Sequence, residues 1–318
     1  MVLNKLTSLI VAGTVLAFIA PQAASAASKP GVTTGGASNI VQQSARIAGS
    51  VDPNGATTTY SFQYGTSTAF GSTTPALSLS GDGAKSVSVD LTGLAPNKRY
   101  YYRLIASNSA GETLGARKSF VTLKQPLGIT LAANPNPVPF GSMTTLAGQV
   151  TGTGNGGVQV ALQGRSFPYT TGFKQVGNAV IADAQGNFSF GLLPVGLNTQ
   201  FRAVRVGKSL TSQVVLASVA VRVATNVGTY RVRKGSLLTF SGTLKPALPG
   251  TLLAVQKLDS KGRWQLIGGM AARTSNSEQA KFKRRVRIRS AGTYRIYAGA
   301  ADGRYVPAVG REIKIRTR

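Results

Sequence analysis

Residues 94–111 read Leu94-Ala95-Pro96-Asn97-Lys98-Arg99-Tyr100-Tyr101-Tyr102-Arg103-Leu104-Ile105-Ala106-Ser107-Asn108-Ser109-Ala110-Gly111. A Pro-Asn turn opens the stretch. After it Tyr100, Tyr102, Leu104, Ala106 and Asn108 recur at every second position, the period that lines one face of a β-strand. Gly111 closes the strand. Working outward, Ala45 to Val51 alternates in the same way, Asp52-Pro53-Asn54-Gly55 is a turn, and Tyr60, Phe62 and Tyr64 again share a face. Further turns at Gly65, Gly71, Gly81 and Gly83 lead to a strand from Ser86 to Leu91. Short strands separated by turns every 8–12 residues, without a helical period, predict an antiparallel sandwich.

This region resembles a fibronectin type III domain. The family's Leu-x-Pro-x-x-x-Tyr turn falls on Leu94, Pro96 and Tyr100, and its following strand on Tyr100, Ala106, Asn108 and Gly111. The Asp-Pro-Asn-Gly turn at 52–55 and the Tyr-x-Phe-x-Tyr-Gly run at 60–65 are similar to those of exported bacterial copies. The resemblance covers residues 28–125 and implies a structural role for Leu94, Pro96, Tyr100, Asn108 and Gly111. Tyr100 is expected to form a tyrosine corner, its hydroxyl donating back to the turn's backbone. Tyr101 points the other way and is the candidate exposed aromatic. The domain lacks the family's early Trp, and Ile47 is expected to fill that space. No Arg-Gly-Asp triplet occurs, so integrin-type adhesion is not implied.

Residues 127–220 and 221–318 read as copies of one another. Gly141 and Gly235, Gly148 and Gly242, and Phe188 and Phe282 are each offset by 94, and Gly172-Phe173 echoes Arg263-Trp264 near 91. A near-constant offset with small indels marks tandem domains. Both resemble bacterial immunoglobulin-like domains. Leu123 to Pro126 and Ser218 to Ala220 are the expected linkers. Phe173 and Trp264 are expected to be core or inter-sheet plugs. The expected fold class is all-β: three tandem immunoglobulin-like or fibronectin type III-like β-sandwiches, arranged as a fairly stiff rod after a cleaved signal peptide.

The signal peptide is residues 1–26. One positive charge precedes fifteen mostly apolar residues, Leu6 to Ala20, then Pro21 and the small-x-small pattern Ala24-Ser25-Ala26. Fifteen residues fall short of the ~20 needed to span a bilayer, so no membrane span is expected after cleavage, and a secreted or cell-envelope location follows. The 318 residues contain no Cys and no His. Disulfides, thiol nucleophiles, Ser-His-Asp triads and His-ligated zinc are therefore excluded.

Candidate catalytic motifs fail one by one. Gly152-x-Gly154-x-x-Gly157 has dinucleotide-binding spacing, but the strand-like Val158-Gln159-Val160-Ala161-Leu162 follows where a helix is required, and a glycine-rich hairpin is the better reading. No Ser-x-x-Lys occurs, and nine acids spread over three units offer no paired carboxylates or calcium cluster. No enzyme activity, cofactor or metal is expected. Tyr60, Phe62 and Tyr64 alternate beside aliphatics and are expected to pack in a core.

Lys and Arg total 36 against 9 acids, a formal charge of +27, and the third unit alone holds 21 basic residues and 4 acids. Within it Lys281, Lys283, Arg285, Arg287 and Arg289 alternate with Phe282, Val286 and Ile288. Arg284 breaks the inward face, so a bulge or late strand start is expected there. Lys314, Arg316 and Arg318 form a shorter ladder. The expected function is a non-enzymatic structural or adhesive surface protein. Its basic third domain would be held to an anionic cell-wall polymer or acidic polysaccharide, with other surface proteins as further candidate partners. No nucleic-acid fold signature is present, which argues against specific nucleic-acid binding. The alternative is a polysaccharide-binding accessory module serving a separate extracellular enzyme.

Overall fold

The computed structural model describes residues 27–300 and 302–318. The expected signal peptide lies outside the described residues. Among the described residues every regular element is a β-strand, and no helix is long and apolar enough to cross a membrane. The chain divides into two compact units, with Leu123 ending the first and Lys124 beginning the second.

In the first unit Gly31–Ser38, Ala45–Asp52 and Lys85–Leu91 form one antiparallel sheet. Thr58–Gly65 and Arg99–Asn108 centre the other. The register places Tyr64 opposite Tyr102, Phe62 opposite Leu104 and Tyr60 opposite Ala106. Cross-strand partners point to the same face, so the alternation read from sequence becomes the core. Phe62, Tyr102, Leu104 and Ile47 are buried, with Tyr60 and Tyr64 packed against them. The arrangement is a fibronectin-type, immunoglobulin-like β-sandwich.

The turn before Arg99–Asn108 is fixed by a bond of the kind expected but of opposite polarity. The Ala95 backbone N–H donates to the Tyr100 hydroxyl at 2.9 Å, so the hydroxyl accepts. The Thr122 hydroxyl donates to the Ala95 carbonyl at 2.7 Å, so both backbone polar groups of Ala95 are satisfied. Asn108 closes the strand's far end. Its Oδ1 accepts from Ala110 N–H at 2.9 Å and its Nδ2 donates to Ser28 O at 2.7 Å. Tyr101 is half-buried, with the Arg117 guanidinium 5.8 Å from its ring centre.

The second unit holds two sandwiches of matching plan. Met143–Thr151 pairs with Asn187–Pro194 in one, and Leu237–Lys245 with Ala280–Arg287 in the other. Phe188 sits opposite Gly148, and Phe282 opposite Gly242. A Cβ on Gly148 would lie 2.0 Å from Thr130 O, and one on Gly242 1.9 Å from Ala224 O. The repeated glycine is thus required by close approach of a carbonyl from the preceding segment of chain. Short parallel pairings recur as well: Val138–Pro139 with Val219–Ala220, and Arg231–Val232 with Ile313–Thr317. The Gly152/Gly154/Gly157 segment is not a hairpin. It carries the chain from Met143–Thr151 in one sheet to Gln159–Ser166 in the other, with positive φ at all three glycines.

The expected linker at 218–220 is part of a joint instead. Val219–Ala220 is a strand, and Ala217, Val219 and Val221 are buried in a cluster shared by both sandwiches. Asn198 organises the contact. Its Oδ1 accepts from Val219 N–H at 2.7 Å, its Nδ2 donates to Gly303 O at 2.9 Å, and its own N–H donates to Arg304 O at 2.9 Å. Phe140 meets Tyr305 edge-on at 5.9 Å.

Two outcomes follow from these contacts. Tyr100→Phe leaves the Ala95 N–H without its acceptor and should cost about 1–3 kcal/mol. Tyr101→Phe should cost much less, and equal melting temperatures would reject the corner. Asn198→Ala strands the buried Val219 N–H, a loss of about 1–3 kcal/mol, and removes the bond to the carbonyl of exposed Gly303. Calorimetry of the full chain should then show the unfolding of the second and third sandwiches separating into two transitions.

Candidate anion-binding face

The Ala280–Arg287 strand buries Ala280, Phe282 and Val286 and continues to buried Ile288. Period two then forces Lys281, Lys283, Arg285, Arg287 and Arg289 outward, and all five are exposed. The pairing with Leu237–Lys245 puts Thr243 beside Lys281, Ser241 beside Lys283 and Thr239 beside Arg285. Arg273 sits directly opposite Lys281 on the other side. The outer face is therefore a row of cations interleaved with hydroxyls. Among the described residues none of the five makes an ion pair. Arg287 is the one with a hydrogen bond, donating from Nη1 to Gly235 O at 2.8 Å.

Among the described residues no acid of the third sandwich forms an ion pair with this row. Asp259 accepts from Lys261 and Arg263 N–H groups, both at 2.8 Å, and pairs with the Arg263 guanidinium at 3.2 Å. These bonds, that from the Arg263 N–H foremost, hold its carboxyl below the usual range. Asp302 pairs with Arg304 at 2.7 Å.

Arg284 departs from expectation. There is no bulge on its strand: it pairs in unbroken register with Phe240. Its backbone faces inward, yet its side chain is exposed. Arg273–Thr274 flanks only the first residues of the strand, so beyond them the edge is open. The guanidinium leaves through that edge, passing Gly268 of the facing sheet, where a Cβ would lie 3.8 Å from Nε. The irregularity is in that facing sheet, where the register of Trp264–Ala271 slips between Gly268 and Leu266. Snorkelling keeps the charge wet while the stem packs. Two open grooves, of ≈ 890 and ≈ 610 Å³, meet at Arg284.

Lys314 and Arg316 are also exposed, on Ile313–Thr317, with Arg318 just beyond. That strand belongs to the other sheet, so the two ladders lie on opposite outer faces and the structure does not bring them together.

The sequence missed a feature carried by all three sandwiches. Arg103 Nε donates to Gln63 at 2.7 Å with its guanidinium 4.8 Å from the Phe70 ring centre. Arg202 repeats this with Gln163 at 2.9 Å and Phe173 at 4.4 Å, and Arg295 with Gln256 at 2.9 Å and Trp264 at 3.8 Å. Phe173 and Trp264 are thus not core plugs. They are half-buried on the outside, each under a guanidinium. The offset of 93 shared by Gln163/Gln256 and Arg202/Arg295 was the available signal.

No family model matches the sequence, and no curated protein matches it. Among solved structures the chain is similar to the chicken CNTN1 FN1-FN3 domains, with 13% identity, TM-score 0.30, and 91% of this chain and 99% of that one covered. It is similar to domains A168-A170 from titin, with 10% identity, TM-score 0.36, and 91% and 100% covered. A tetra-tandem repeat in the extending region of a large adhesion protein gives 14% identity, TM-score 0.29, and 92% and 75% covered. At these scores the fold rests on the strand order and register described above.

Trp264 is the sole tryptophan. Arg295→Ala removes the cation over its ring, a contact worth about 0.5–1 kcal/mol at an exposed site. Trp emission should change in intensity and acrylamide quenching should rise, while the fold is kept. Unchanged quenching would mean that the stack is not formed in solution.

Proposed function

We propose that this chain is a non-enzymatic, secreted or cell-surface binding and structural protein whose third sandwich attaches it to an anionic envelope polymer. The observation that carries this reading is the exposed cation row Lys281 to Arg289, with hydroxyls between its members and no acid paired to it. Cations ~7 Å apart in water repel by only ~0.6 kcal/mol per neighbouring pair before screening, so the fold tolerates the row without a ligand. An anion laid along it gains from every cation at once. Neutral-sugar stacking is less favoured, because Phe70, Phe173 and Trp264 each have a guanidinium over the ring.

The test is a salt titration. Against a polymer as densely charged as duplex DNA, five engaged cations give a slope of about −4.5 in log affinity against log salt, or roughly 500-fold between 50 and 200 mM. A sparser phosphate polymer should give a shallower slope. Changing Lys281, Lys283 and Arg285 to Gln should flatten the DNA slope by about 2–3 units. Arg287 is left out because it also holds the Gly235 carbonyl. Binding to cell walls that persists unchanged in the triple variant would sink the proposal.

A further inference from the structure

We infer that the third sandwich takes a phosphodiester polymer on both of its sheets, so that one molecule bridges two polymer chains. This rests on the anion-binding reading above and adds a second, independent face to it. That face is the outer side of the sheet containing Arg231–Val232, Ile313–Thr317 and Gly292–Ala298. Arg231 stands directly opposite Arg316, and Lys314 is exposed on the same strand. Arg295, from the adjoining strand, points to the same side. Glu312, at the start of the ladder, is the acid nearest to it in sequence.

Each face holds a pair of like charges directly opposed across strands: Arg273 with Lys281 on one, Arg231 with Arg316 on the other. Such pairs are destabilising in isolation. A polyanion lying across the strands converts both into favourable sites, and it does so on both sides of the sandwich. Phe240 of one sheet and Tyr294 of the other meet at 6.0 Å in the core between the faces. A single extended polymer cannot follow both without turning round an edge, so two chains are the simpler occupancy.

The spacing selects the period of the polymer backbone. Alternate residues on a strand are about 6.8 Å apart. Six extended single bonds, twice the three-bond reach of one residue, cover about 7 Å. A phosphodiester with one phosphate per six backbone bonds, in a polyol phosphate and in a nucleic-acid strand alike, therefore presents its charges in step with the ladder. The outer residues of the first face include no aromatic on Arg222–Val227, Leu237–Lys245 or Ala280–Arg287, and on the second face the Arg295 guanidinium covers the Trp264 ring, so the first face offers nucleic-acid bases no stacking platform.

The experiment uses the full chain and two bead populations, donor- and acceptor-labelled, both coated with synthetic poly(glycerol phosphate). The wild type should co-cluster them, with a maximum at intermediate protein concentration. One variant carries Lys281→Gln, Lys283→Gln and Arg285→Gln, and the other Arg231→Gln, Lys314→Gln and Arg316→Gln. Each should keep binding to a single coated bead but lose co-clustering by about tenfold or more, as expected when one of two linked sites is removed. Arg316→Glu, which would pair with Arg231 and keep the strand, should lose co-clustering to a similar degree. Co-clustering by the second-face variants equal to wild type would overturn the two-face inference while leaving single-face binding in place. Failure of the wild type to bind either bead would instead overturn the anion-binding reading itself. Equal co-clustering of beads coated with single-stranded DNA at the same salt would overturn the choice of a polyol phosphate.

Discussion

Burial of Phe282, Val286 and Ile288 is the interaction on which the charged surface depends. Those three side chains enter the core of the third sandwich, and the two-residue period of a strand leaves their neighbours no direction but outward. A side chain of such size contributes about 1.5–3 kcal/mol when fully buried. That is several times the repulsion between neighbouring cations in water. The fold can therefore carry a dense row of positive charge without any compensating acid, and the row is a by-product of core packing that is available for use.

Much of this was legible beforehand because it is local. The alternation from Tyr100 to Asn108 and from Lys281 to Arg289 states which side chains face in. The Pro96 turn with Tyr100 four residues later located the corner, and paired offsets of 94 located the glycines that accept a neighbouring carbonyl. Contacts between distant strands were not legible. The side-chain exit of Arg284 depends on an irregularity in the facing sheet and on where a flanking strand stops. The outward position of Trp264 depends on an Arg and a Gln from two other strands. Nothing in the sequence period distinguishes an aromatic capped by a guanidinium from one that is buried. The two ladders, alike in sequence, fall on opposite sheets for the same reason: sheet membership is a property of the whole topology.

The joint centred on Asn198 ties the second sandwich to the third. It carries little of the charge, with Arg165, Lys174, Arg202, Arg205 and Lys208 against Asp183. Its buried edge is continuous with the core of the third sandwich, and its one buried amide makes bonds to both sides of the boundary. An interface of this kind, hydrophobic and tied by hydrogen bonds, restricts the relative motion that is the default for neighbouring domains. The second sandwich thus shares a buried core with the one that carries the charged faces.

The parallel pairings bear on mechanical load. In the third sandwich Arg231–Val232 lies near the domain's start and Ile313–Thr317 at its end, and they run in the same direction. A pull on the two ends of that domain draws parallel partners past one another, so their hydrogen bonds are strained together in shear instead of being peeled in sequence. Val138–Pro139 and Val219–Ala220 repeat the arrangement in the second sandwich. Forced unfolding is governed by the height of the unfolding barrier and not by equilibrium stability. A pull on the two ends of either sandwich thus loads these short pairings in shear.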